Sequence, residues 1–436
     1  SQAKAAQQNY VPLLEGAERL LKTQTQFMQA DVFAQKSLTG KGIRIAVFDA
    51  GFPNVDKGFA FEHIRKRNGI IACYDFVRNK ENVYLSSDHG TMTLSCIAGK
   101  NGADNIGLAI DADFLLARTE RSLFEPIGEE ENWLMAAEWA DKNGAHIINS
   151  SLGYTAHRYF QKNMDGKFTL VSRAANMAAK KGILVVNAAG NEGDEHWTII
   201  GAPADADSVL TVGGINPWTG IHTKFSSYGP TSDGRLKPNV SALAWVIAAN
   251  KKNTLQEVQG TSFASPLTAG FAACVLQEFP KIKVMDLFKK IEQSGHLYPY
   301  YDYAHGYGIP QASKAVIEQN TIPATFITEV DNGKQKIKIL PEFFTEQNFI
   351  YSVKFSDNWE DEHVKDEIYT SAVSTMVLKK IPDYFYWHVS NADGKIETYE
   401  VLMVENPTIL QIPLQNYIGK TLRFHYKGYT LIQKID

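Results

Sequence analysis

Six short runs of apolar residues, separated by stretches with helical spacing, constrain the fold of this chain more than any other feature. The runs are GIRIAVFDA, GIIACYDFV, DADFLLART, HIINSSLG, GILVVNAAG and SVLTVGGI, and helical patterns at 130–141 and 172–181 lie among them. Short, continuously apolar strands that alternate with helices are typical of a parallel sheet buried on both faces. The sequence therefore predicts a doubly wound α/β domain with a mostly parallel sheet over residues 41–320.

The residues on either side of this domain have different patterns. Residues 1–40 are predicted to be an N-terminal arm with one short amphipathic helix at 12–21. After residue 321, the segments KQKIKIL, NFIYSVKFS, YFYWHVSN, ETYEVLMV and TLRFHYKGYTLIQ alternate polar and apolar residues, which indicates β-strands. We expect an all-β, sandwich-like domain over residues 321–436. Its acidic loop at 357–367 is expected to be solvated, and whether the domain stabilises the protein, docks substrates or serves surface attachment stays open.

Composition argues against several classes of protein. The 436 residues are 44% hydrophobic and 21% charged, which is ordinary for a globular protein. A formal net charge of −4 lacks the basic excess of a nucleic-acid-binding protein. No apolar run approaches the ~20 residues that span a bilayer. The first ten residues, SQAKAAQQNY, lack the basic and apolar parts of a signal peptide, so we expect a cytosolic chain or one that begins after a removed signal.

Polar residues stand at the carboxyl ends of the predicted strands, where catalytic groups gather in doubly wound sheets. Asp49 ends the first run and Asn191 follows the fifth, while His89 and Ser262 each stand where a loop enters a predicted helix. A serine hydroxyl becomes a nucleophile when an imidazole takes its proton and a carboxylate orients that imidazole. An Asn amide and a helix N-terminus both suit a developing oxyanion. These four residues predict nucleophilic catalysis.

The order Asp, His, Ser, taken with the motifs around each residue, resembles the subtilisin-like serine proteases, or subtilases. The motifs are DAG at 49–51, HGT at 89–91, SLG at 151–153, AAGNEG at 188–193, FSSYGP at 225–230 and GTSFASP at 260–266. The resemblance covers residues 30–320 and is strongest to secreted members from Bacteroidetes-type bacteria. It implies that Ser262 is the nucleophile, His89 the general base, Asp49 the orienting carboxylate and Asn191 the oxyanion donor.

The same resemblance implies a serine endopeptidase that forms an acyl-enzyme and requires no cofactor. Such a protein would be a secreted or cell-envelope monomer that acts on proteins or peptides, with its signal peptide already removed. The N-terminal arm is shorter than the propeptide of most members, which favours a mature form or one that lacks a propeptide. The alternative is a catalytically silent relative whose β domain docks a surface partner.

The resemblance also implies how a substrate would bind. The segment Ser151, Leu152 and Gly153 would pair with an extended peptide on one edge, and the segment after Arg118 would do so on the other. The first specificity pocket would be lined by Ala188, Ala189, Gly190 and Gly201, and a more distant apolar pocket by Trp133. Seven acidic residues nearby are expected to form a solvated rim, with a preference for Lys or Arg near the scissile bond as the sharper alternative. They are Glu120, Glu129, Glu130, Glu131, Glu192, Asp194 and Glu195.

Several positions depart from the usual pattern of the family. Phe263 and Met92 stand where many members have Met and a second His, respectively. The loop with Asn101, Asp104 and Asn105 is shortened relative to a family calcium loop, so we expect a turn, with a structural calcium ion as the alternative. Pro203 is expected to follow a cis peptide bond.

The three cysteines lie far apart and form no CxxC or Cys/His cluster. Cys96 and Cys274 are on the helices predicted to start at His89 and Ser262, but they are offset by ~7 Å along roughly parallel axes. A disulfide across that offset would be strained. We therefore predict that Cys73, Cys96 and Cys274 are free thiols.

Overall fold

A computed structural model describes residues 10–121, 128–317, 322–344 and 381–436, which form two compact units. Of the described residues, the first unit comprises those within Ser1–Pro217, Ile221–His296 and Tyr303–Gln319, and the second those within Trp218–Gly220, Leu297–Asp302 and Asn320–Asp436. The second unit thus includes two short segments from within residues 41–320. The predicted strand at 348–356 and the acidic loop at 357–367 lie outside the described residues.

The helices described in the first unit are α1 (Glu15–Gln26), α2 (Ala30–Gln35), α3 (Glu62–Lys66), α4 (His89–Ala98), α5 (Gly128–Lys142), α6 (Leu170–Lys180), α7 (Thr261–Glu278), α8 (Val284–Gln293) and α9 (Ala312–Val316), with 3-10 turns at Phe59–Phe61 and Gln161–Asn163. Its strands are β1 (Arg44–Asp49), β2 (Ile70–Asp75), β3 (Lys100–Asn101), β4 (Asp104–Asn105), β5 (Asp113–Arg118), β6 (Ile147–Ser150), β7 (Leu184–Ala188), β8 (Val209–Ile215), β9 (Val240–Leu243), β10 (Trp245–Ala249) and β11 (Leu255–Gln259). None of the helices in the described part of the chain combines the length and the apolar character required to cross a membrane.

Seven of these strands form one sheet in the order β2-β5-β1-β6-β7-β8-β9, and every neighbouring pair is parallel. The strand order reverses at β1, which has β5 on one side and β6 on the other. In a doubly wound sheet such a switch point opens a crevice at the carboxyl ends of the strands. The predicted α/β fold is confirmed, and Asp49 stands at the switch point.

The predicted elements of the α/β region are found, while the N-terminal arm differs. Each of the six apolar runs contains a strand, and α5 and α6 cover the predicted helices. The arm has two helices, α1 and α2, where one was predicted, and α1 continues to Gln26, beyond the predicted end at residue 21. Gln24 is fully buried there, and its amide donates to the carbonyls of Ile106 and Ile247 at 2.7 and 3.2 Å and accepts from the Ile247 N–H at 2.9 Å.

The second unit is built from antiparallel strands. They are β12 (Phe326–Asp331), β13 (Lys334–Ile339), β14 (Tyr384–Ser390), β15 (Ile396–Met403), β16 (Thr408–Pro413), β17 (Thr421–Tyr426) and β18 (Tyr429–Lys434), with 3-10 turns at Pro341–Phe343 and Leu414–Tyr417. A three-stranded sheet, β12-β13-β16, and a four-stranded sheet, β15-β14-β17-β18, contribute to one buried core. The predicted sandwich-like organisation is therefore found in the described residues.

Candidate active site

Asp49 and His89 are joined by a close contact at the carboxyl end of β1. The imidazole Nδ1 of His89 lies 2.8 and 3.0 Å from the two carboxylate oxygens of Asp49. The fully buried carboxylate also accepts from the backbone N–H of Ala50 at 2.8 Å and from the hydroxyl of Thr93 at 3.1 Å. Because these donors hold Asp49 in place, its bond to Nδ1 directs the other ring nitrogen of His89 away from the carboxylate.

The same pair determines the protonation of the imidazole. Burial lowers the pKa of His89, but the charge of Asp49 and the hydrogen bond to it outweigh burial, so that this pKa is raised above its usual value. The imidazolium that forms when neutral His89 accepts a proton is therefore stabilised by Asp49.

Gly90 lets α4 begin this close to β1. A Cβ at Gly90 would lie 2.4 Å from the carbonyl oxygen of Gly51 and 2.9 Å from the Cβ of Asp49. Any larger residue would push His89 away from its carboxylate. Thr93, four residues after His89, returns to the same face of α4 and reaches Asp49 as well.

Ser262 is the second residue of α7, the helix whose start faces the start of α4. The preceding Gly260 has φ +139°, a conformation that side-chain-bearing residues rarely adopt, and it turns the chain from β11 into α7. The rings of His89 and Phe263 are 5.7 Å apart between centroids. In this structure the hydroxyl of Ser262 donates to the carbonyl of Ser151 at 3.3 Å.

Pro266 explains a second hydrogen bond between the same two segments. A proline has no N–H, so the Ser262 carbonyl four residues earlier has no donor there in α7. The hydroxyl of Ser151 donates to that carbonyl instead, at 2.9 Å. Asn149 donates in turn to the Ser151 hydroxyl at 3.2 Å and accepts from Ser265 at 3.0 Å. The 151–153 segment and the start of α7 are thus bonded in both directions.

Asn191 follows β7, and its side chain contacts the start of α7. Its side-chain oxygen accepts from the backbone N–H of Thr261 at 2.9 Å. Because that donor can only face the oxygen of the amide, the NH₂ group of Asn191 points away from Thr261.

The residues predicted to bind substrate lie around these groups. The side-chain amide of Asn187, in β7, donates to the carbonyl of Leu152 at 3.0 Å. The backbones of Tyr154 and Ala202 exchange hydrogen bonds of 2.8 and 3.2 Å. These bonds bring together Ser151, Leu152, Gly153, Ala188, Ala189, Gly190 and Gly201. Gly153 is exposed, whereas Ser151, Leu152, Ala188, Ala189 and Gly201 are buried.

Trp133 does not border an accessible pocket, and that prediction is wrong. The side chain is fully buried, its Nε1 donates to the hydroxyl of Ser150 at 3.0 Å, and its ring packs edge-to-face on Phe48 at 5.3 Å. The tryptophan belongs to the core between α5 and the sheet. The sequence shows which residues α5 contains but not which of them the sheet covers.

The expected solvated acidic rim is also wrong for two of its seven members. Glu129 and Glu130 are buried, and both carboxylates pair with the guanidinium of Arg158, at 3.5 and 3.3 Å. Burial is tolerated because each carboxylate has a cation and a further hydrogen-bond donor. Glu131, Asp194 and Glu195 are exposed, as expected of a rim.

The shortened loop forms a two-stranded hairpin of β3 and β4, in agreement with the predicted turn. Asn101 is buried and exchanges hydrogen bonds of 2.7 and 3.0 Å with the backbone of Val11, so it holds the N-terminal arm. The described residues include no group of three or more His, Cys, Asp or Glu that could hold a metal ion. The Ala202–Pro203 bond is cis and the three cysteines are free thiols, as predicted.

Comparison with known proteins assigns the chain to a family. The model of the Subtilase family matches residues 40–308. The chain is 31% identical over 254 residues to the alkaline elastase YaB of Bacillus sp. (strain YaB), which covers 58% of this chain and 59% of that protein. It is 29% identical over 304 residues to the serine protease AprX of Bacillus subtilis (strain 168), which covers 62% of this chain and 66% of that protein.

A solved structure of MycP1, described as a serine protease and an essential component of the type VII (ESX-1) secretion system, has a TM-score of 0.54 to this chain. The two share 26% sequence identity over 71% of this chain and 91% of that one. The chain spans less than two thirds of the length of these two curated relatives, YaB and AprX. Because the family model matches more than half of its 436 residues, the chain belongs to the subtilase family.

Proposed function

We propose that this protein is a serine endopeptidase that hydrolyses peptide bonds of proteins through an acyl-enzyme. The observation that carries the proposal is the Asp49–His89 pair at the start of α4, which faces the start of α7 where Ser262 stands. In this proposal Ser262 is the nucleophile and His89 the general base and acid. Asp49 orients His89, and Asn191 donates to the oxyanion.

In the acylation step, the Ser262 hydroxyl exchanges its bond to the Ser151 carbonyl for one to Nε2 of His89. His89 takes the proton as Oγ attacks the carbonyl carbon of the scissile bond. The resulting oxyanion is stabilised by the NH₂ group of Asn191 and by the backbone N–H of Ser262 in the first turn of α7. The imidazolium then gives the proton to the leaving amine, and Ser262 is left as an ester.

In the deacylation step, a water molecule takes the place of the leaving amine. His89 removes a proton from this water, and the hydroxide attacks the ester carbonyl within the same oxyanion site. The acid product leaves when Ser262 recovers its proton from His89. Every proton removed is thus returned, which agrees with a reaction that needs no cofactor.

We propose that the substrate lies as an added strand between the segment at 151–153 and the segment after Arg118. The small residues Ala188, Ala189, Gly190 and Gly201 leave room beside the scissile bond for a large side chain. A preference for Lys or Arg there depends mainly on Glu192, since Glu129 and Glu130 are already paired with Arg158. Burial raises the pKa of Glu192, and its carboxylate accepts from the hydroxyl of Ser227 at 2.9 Å. A positional-scanning peptide library without enrichment of basic residues would exclude this preference.

A fluorophosphonate probe tests the catalytic proposal directly, because it reacts with activated serines. We expect covalent labelling of the wild-type chain at Ser262, located by peptide mass spectrometry, and none in Ser262→Ala. A matched control is Ser265→Ala, one turn further along α7, which keeps Ser262 and should still be labelled.

The second candidate function is that of a silent binding protein. Wild-type protein that is folded by circular dichroism but remains unlabelled would favour it. The proposal also includes action as a monomer on proteins or peptides, in a secreted or cell-envelope setting. Sedimentation equilibrium and fractionation of the producing cells are the measurements for these two points.

A further inference from the structure

Arg158 lies in a buried charged cluster that the proposed reaction does not use. Its side chain is 7% exposed, and its two terminal nitrogens point to different carboxylates, Nη2 to Glu129 at 3.5 Å and Nη1 to Glu130 at 3.3 Å. Buried ion pairs contribute little to stability on balance, because desolvation offsets their attraction. The contacts of the cluster indicate a role other than stability.

The first contact is with the segment that follows Arg118. Glu129 accepts from the backbone N–H of Arg121 at 2.8 Å. The same segment is held by two other bonds, from the Thr119 N–H to the Asp49 carbonyl at 3.0 Å and from the Asn132 amide to the Thr119 carbonyl at 3.1 Å. This segment is one edge of the proposed substrate site, and Glu129 fixes it at Arg121.

The second contact is with the opposite edge. The guanidinium of Arg158 lies over the ring of Tyr154, 4.2 Å from its centroid. Tyr154 directly follows the segment at 151–153, and its backbone is the part that bonds to Ala202. A cation over a buried aromatic ring is attracted by the ring's electron density. Arg158 thereby holds the residue at the end of the 151–153 segment.

The cluster itself is held in place by two helix starts. Glu129 and Glu130 lie in the first turn of α5, and Glu130 also accepts from the N–H of Val171 in the first turn of α6 at 3.1 Å. The positive ends of two helices and one guanidinium together balance two carboxylates. Tyr159 donates to Glu130 at 2.5 Å, and burial followed by this bond raises its pKa, so the phenol keeps its proton. Arg158 therefore has little freedom to move.

We propose that Arg158 is a positioning residue that sets the spacing between the two substrate edges. It holds one edge through the ring of Tyr154 and the other through Glu129 and the N–H of Arg121. The inference rests on the proposed function, since it assumes that a peptide binds between these edges. Loss of Arg158 should therefore lower kcat/KM more for a peptide with more residues paired to both edges. The acyl-transfer chemistry of Ser262 should be unchanged.

The test compares Arg158→Met with the wild type on N-succinylated p-nitroanilides of Phe, Pro-Phe, Ala-Pro-Phe and Ala-Ala-Pro-Phe, and on p-nitrophenyl acetate. We expect kcat/KM for the longest peptide to fall between about 10- and 100-fold, mostly through KM, since small misplacements of binding groups have effects of this size. The loss should shrink with each residue removed, and hydrolysis of the acetate should stay within about twofold.

Two further variants separate positioning from general destabilisation. Adding Glu129→Gln to Arg158→Met removes a buried carboxylate that has lost its contact with the guanidinium, while keeping an acceptor for the N–H of Arg121, so it should restore part of the loss. The matched control is Arg67→Met, which breaks another arginine–carboxylate pair of the first unit, to Asp113 at 2.7 Å, and should affect all substrates alike. Equal losses on all substrates for Arg158→Met, or none on the longest, would overturn the proposal.

A binding measurement distinguishes this inference from the catalytic one. Ser262→Ala should bind succinyl-Ala-Ala-Pro-Phe p-nitroanilide without cleaving it, and adding Arg158→Met should raise the Kd at least tenfold. Absence of fluorophosphonate labelling in the wild-type chain would overturn the proposed catalytic function. The Kd of the peptide for Ser262→Ala, with and without Arg158→Met, would still test the role of Arg158. Failure of Ser262→Ala to bind the peptide at all, or an unchanged Kd on adding Arg158→Met, would overturn the role of Arg158.

Discussion

Thr261 holds the side-chain amide of Asn191 in a single orientation. Its backbone N–H donates to the Asn191 oxygen at 2.9 Å, and its hydroxyl lies 3.0 Å from the same oxygen. Thr261 is also the residue before Ser262, so the group that orients the amide moves with the proposed nucleophile. The direction of the NH₂ group is therefore fixed before any substrate is bound, which the oxyanion role proposed for Asn191 requires.

Replacing Asn191 by Ala should lower kcat by about 100- to 1000-fold with little change in KM, a range established for the amide donor of a subtilisin rather than calculated from this geometry. Asn191→Asp should lose at least as much, because its carboxylate would repel the oxyanion. Steady-state kinetics with a peptide anilide measure both. Asn105→Ala, at an exposed position of β4, is the control. A comparable loss there, or an effect of Asn191→Ala on KM alone, would contradict the assignment.

The activity should depend on pH through His89. This imidazole must be neutral to accept the proton of Ser262, and the charge of Asp49 keeps its pKa above the usual value in spite of burial. We therefore expect kcat/KM to rise with pH and to level off only above ~6.5, the ordinary pKa of histidine. A profile of kcat/KM from pH 5 to 9 on a peptide anilide tests this. An acid limb centred well below 6.5 would speak against the Asp49–His89 pair.

The three thiols should differ in reactivity. Cys96 and Cys274 are fully buried and Cys73 is half-buried with its sulfur 3.4 Å from the Tyr84 hydroxyl. Burial raises the pKa of Cys73 and raises that of Cys96 to about 12, so little reactive thiolate forms in the folded chain. Ellman's reagent should titrate three thiols in guanidinium but react only slowly, at Cys73, in the native protein. Fewer than three thiols after unfolding without reductant would indicate a disulfide.

Acid should destabilise the second unit through His388. Burial, and then the charge of Arg423, lowers the pKa of this histidine to about 4, and its Nδ1 lies 2.7 Å from the Tyr301 carbonyl. Between about pH 6.5 and 4 the unfolded chain binds one more proton at this site than the folded chain. The free energy of unfolding therefore falls as the pH drops through this window, by at most about 3 kcal/mol.

Urea unfolding followed by tryptophan fluorescence between pH 7.5 and 4.5 measures this dependence. His388→Asn keeps a donor for the Tyr301 carbonyl and has no proton to gain, so its stability should change less with pH. His196→Asn, at an exposed position, should retain the wild-type slope. An unchanged slope in His388→Asn would contradict the assignment.

The second unit should not fold well from residues 322–436 alone. Tyr300, from the segment Leu297–Asp302, is fully buried within this unit, and its hydroxyl lies 3.2 Å from Asp302 and 3.4 Å from the Trp387 carbonyl. Tyr300→Ala should therefore lower the free energy of unfolding of the second unit by about 3–5 kcal/mol. The 322–436 fragment should unfold at lower urea concentration than the same unit in the full chain. A fragment of equal stability would show that the segment is dispensable.

Sequence patterns that span a few neighbouring residues predicted most of the α/β fold and the candidate catalytic residues. Six of the seven strands in the parallel sheet were predictable because strands buried on both faces are continuously apolar. Asp49, His89, Asn191 and Ser262 were found because each stands next to a glycine or small residue at a strand end or helix start. Thr93 could have been found in the same way, since it lies four residues after His89 on one helix.

Other features depended on which surfaces meet in the folded chain. Glu129, Glu130 and Gln24 look like surface residues, and only the position of Arg158 or of the β10 backbone makes their burial favourable. Trp133 looked like a pocket residue, yet the sheet covers it. Tyr300 stands within the first unit's stretch of sequence but belongs to the second unit, because its partners are strands more than eighty residues later in the chain.

The sequence by itself therefore determined the elements, their alternation and the residue types at each strand end, because these depend on neighbours a few positions away. The tertiary structure decided that Thr261 orients Asn191, that Ser151 bonds to the Ser262 carbonyl left free by Pro266, and that Arg158 joins two edges of the site. Each of these depends on contacts between residues far apart in the chain. Hydrogen bonds and charge pairs act only over a few ångströms, so which ones form is settled when distant segments pack together.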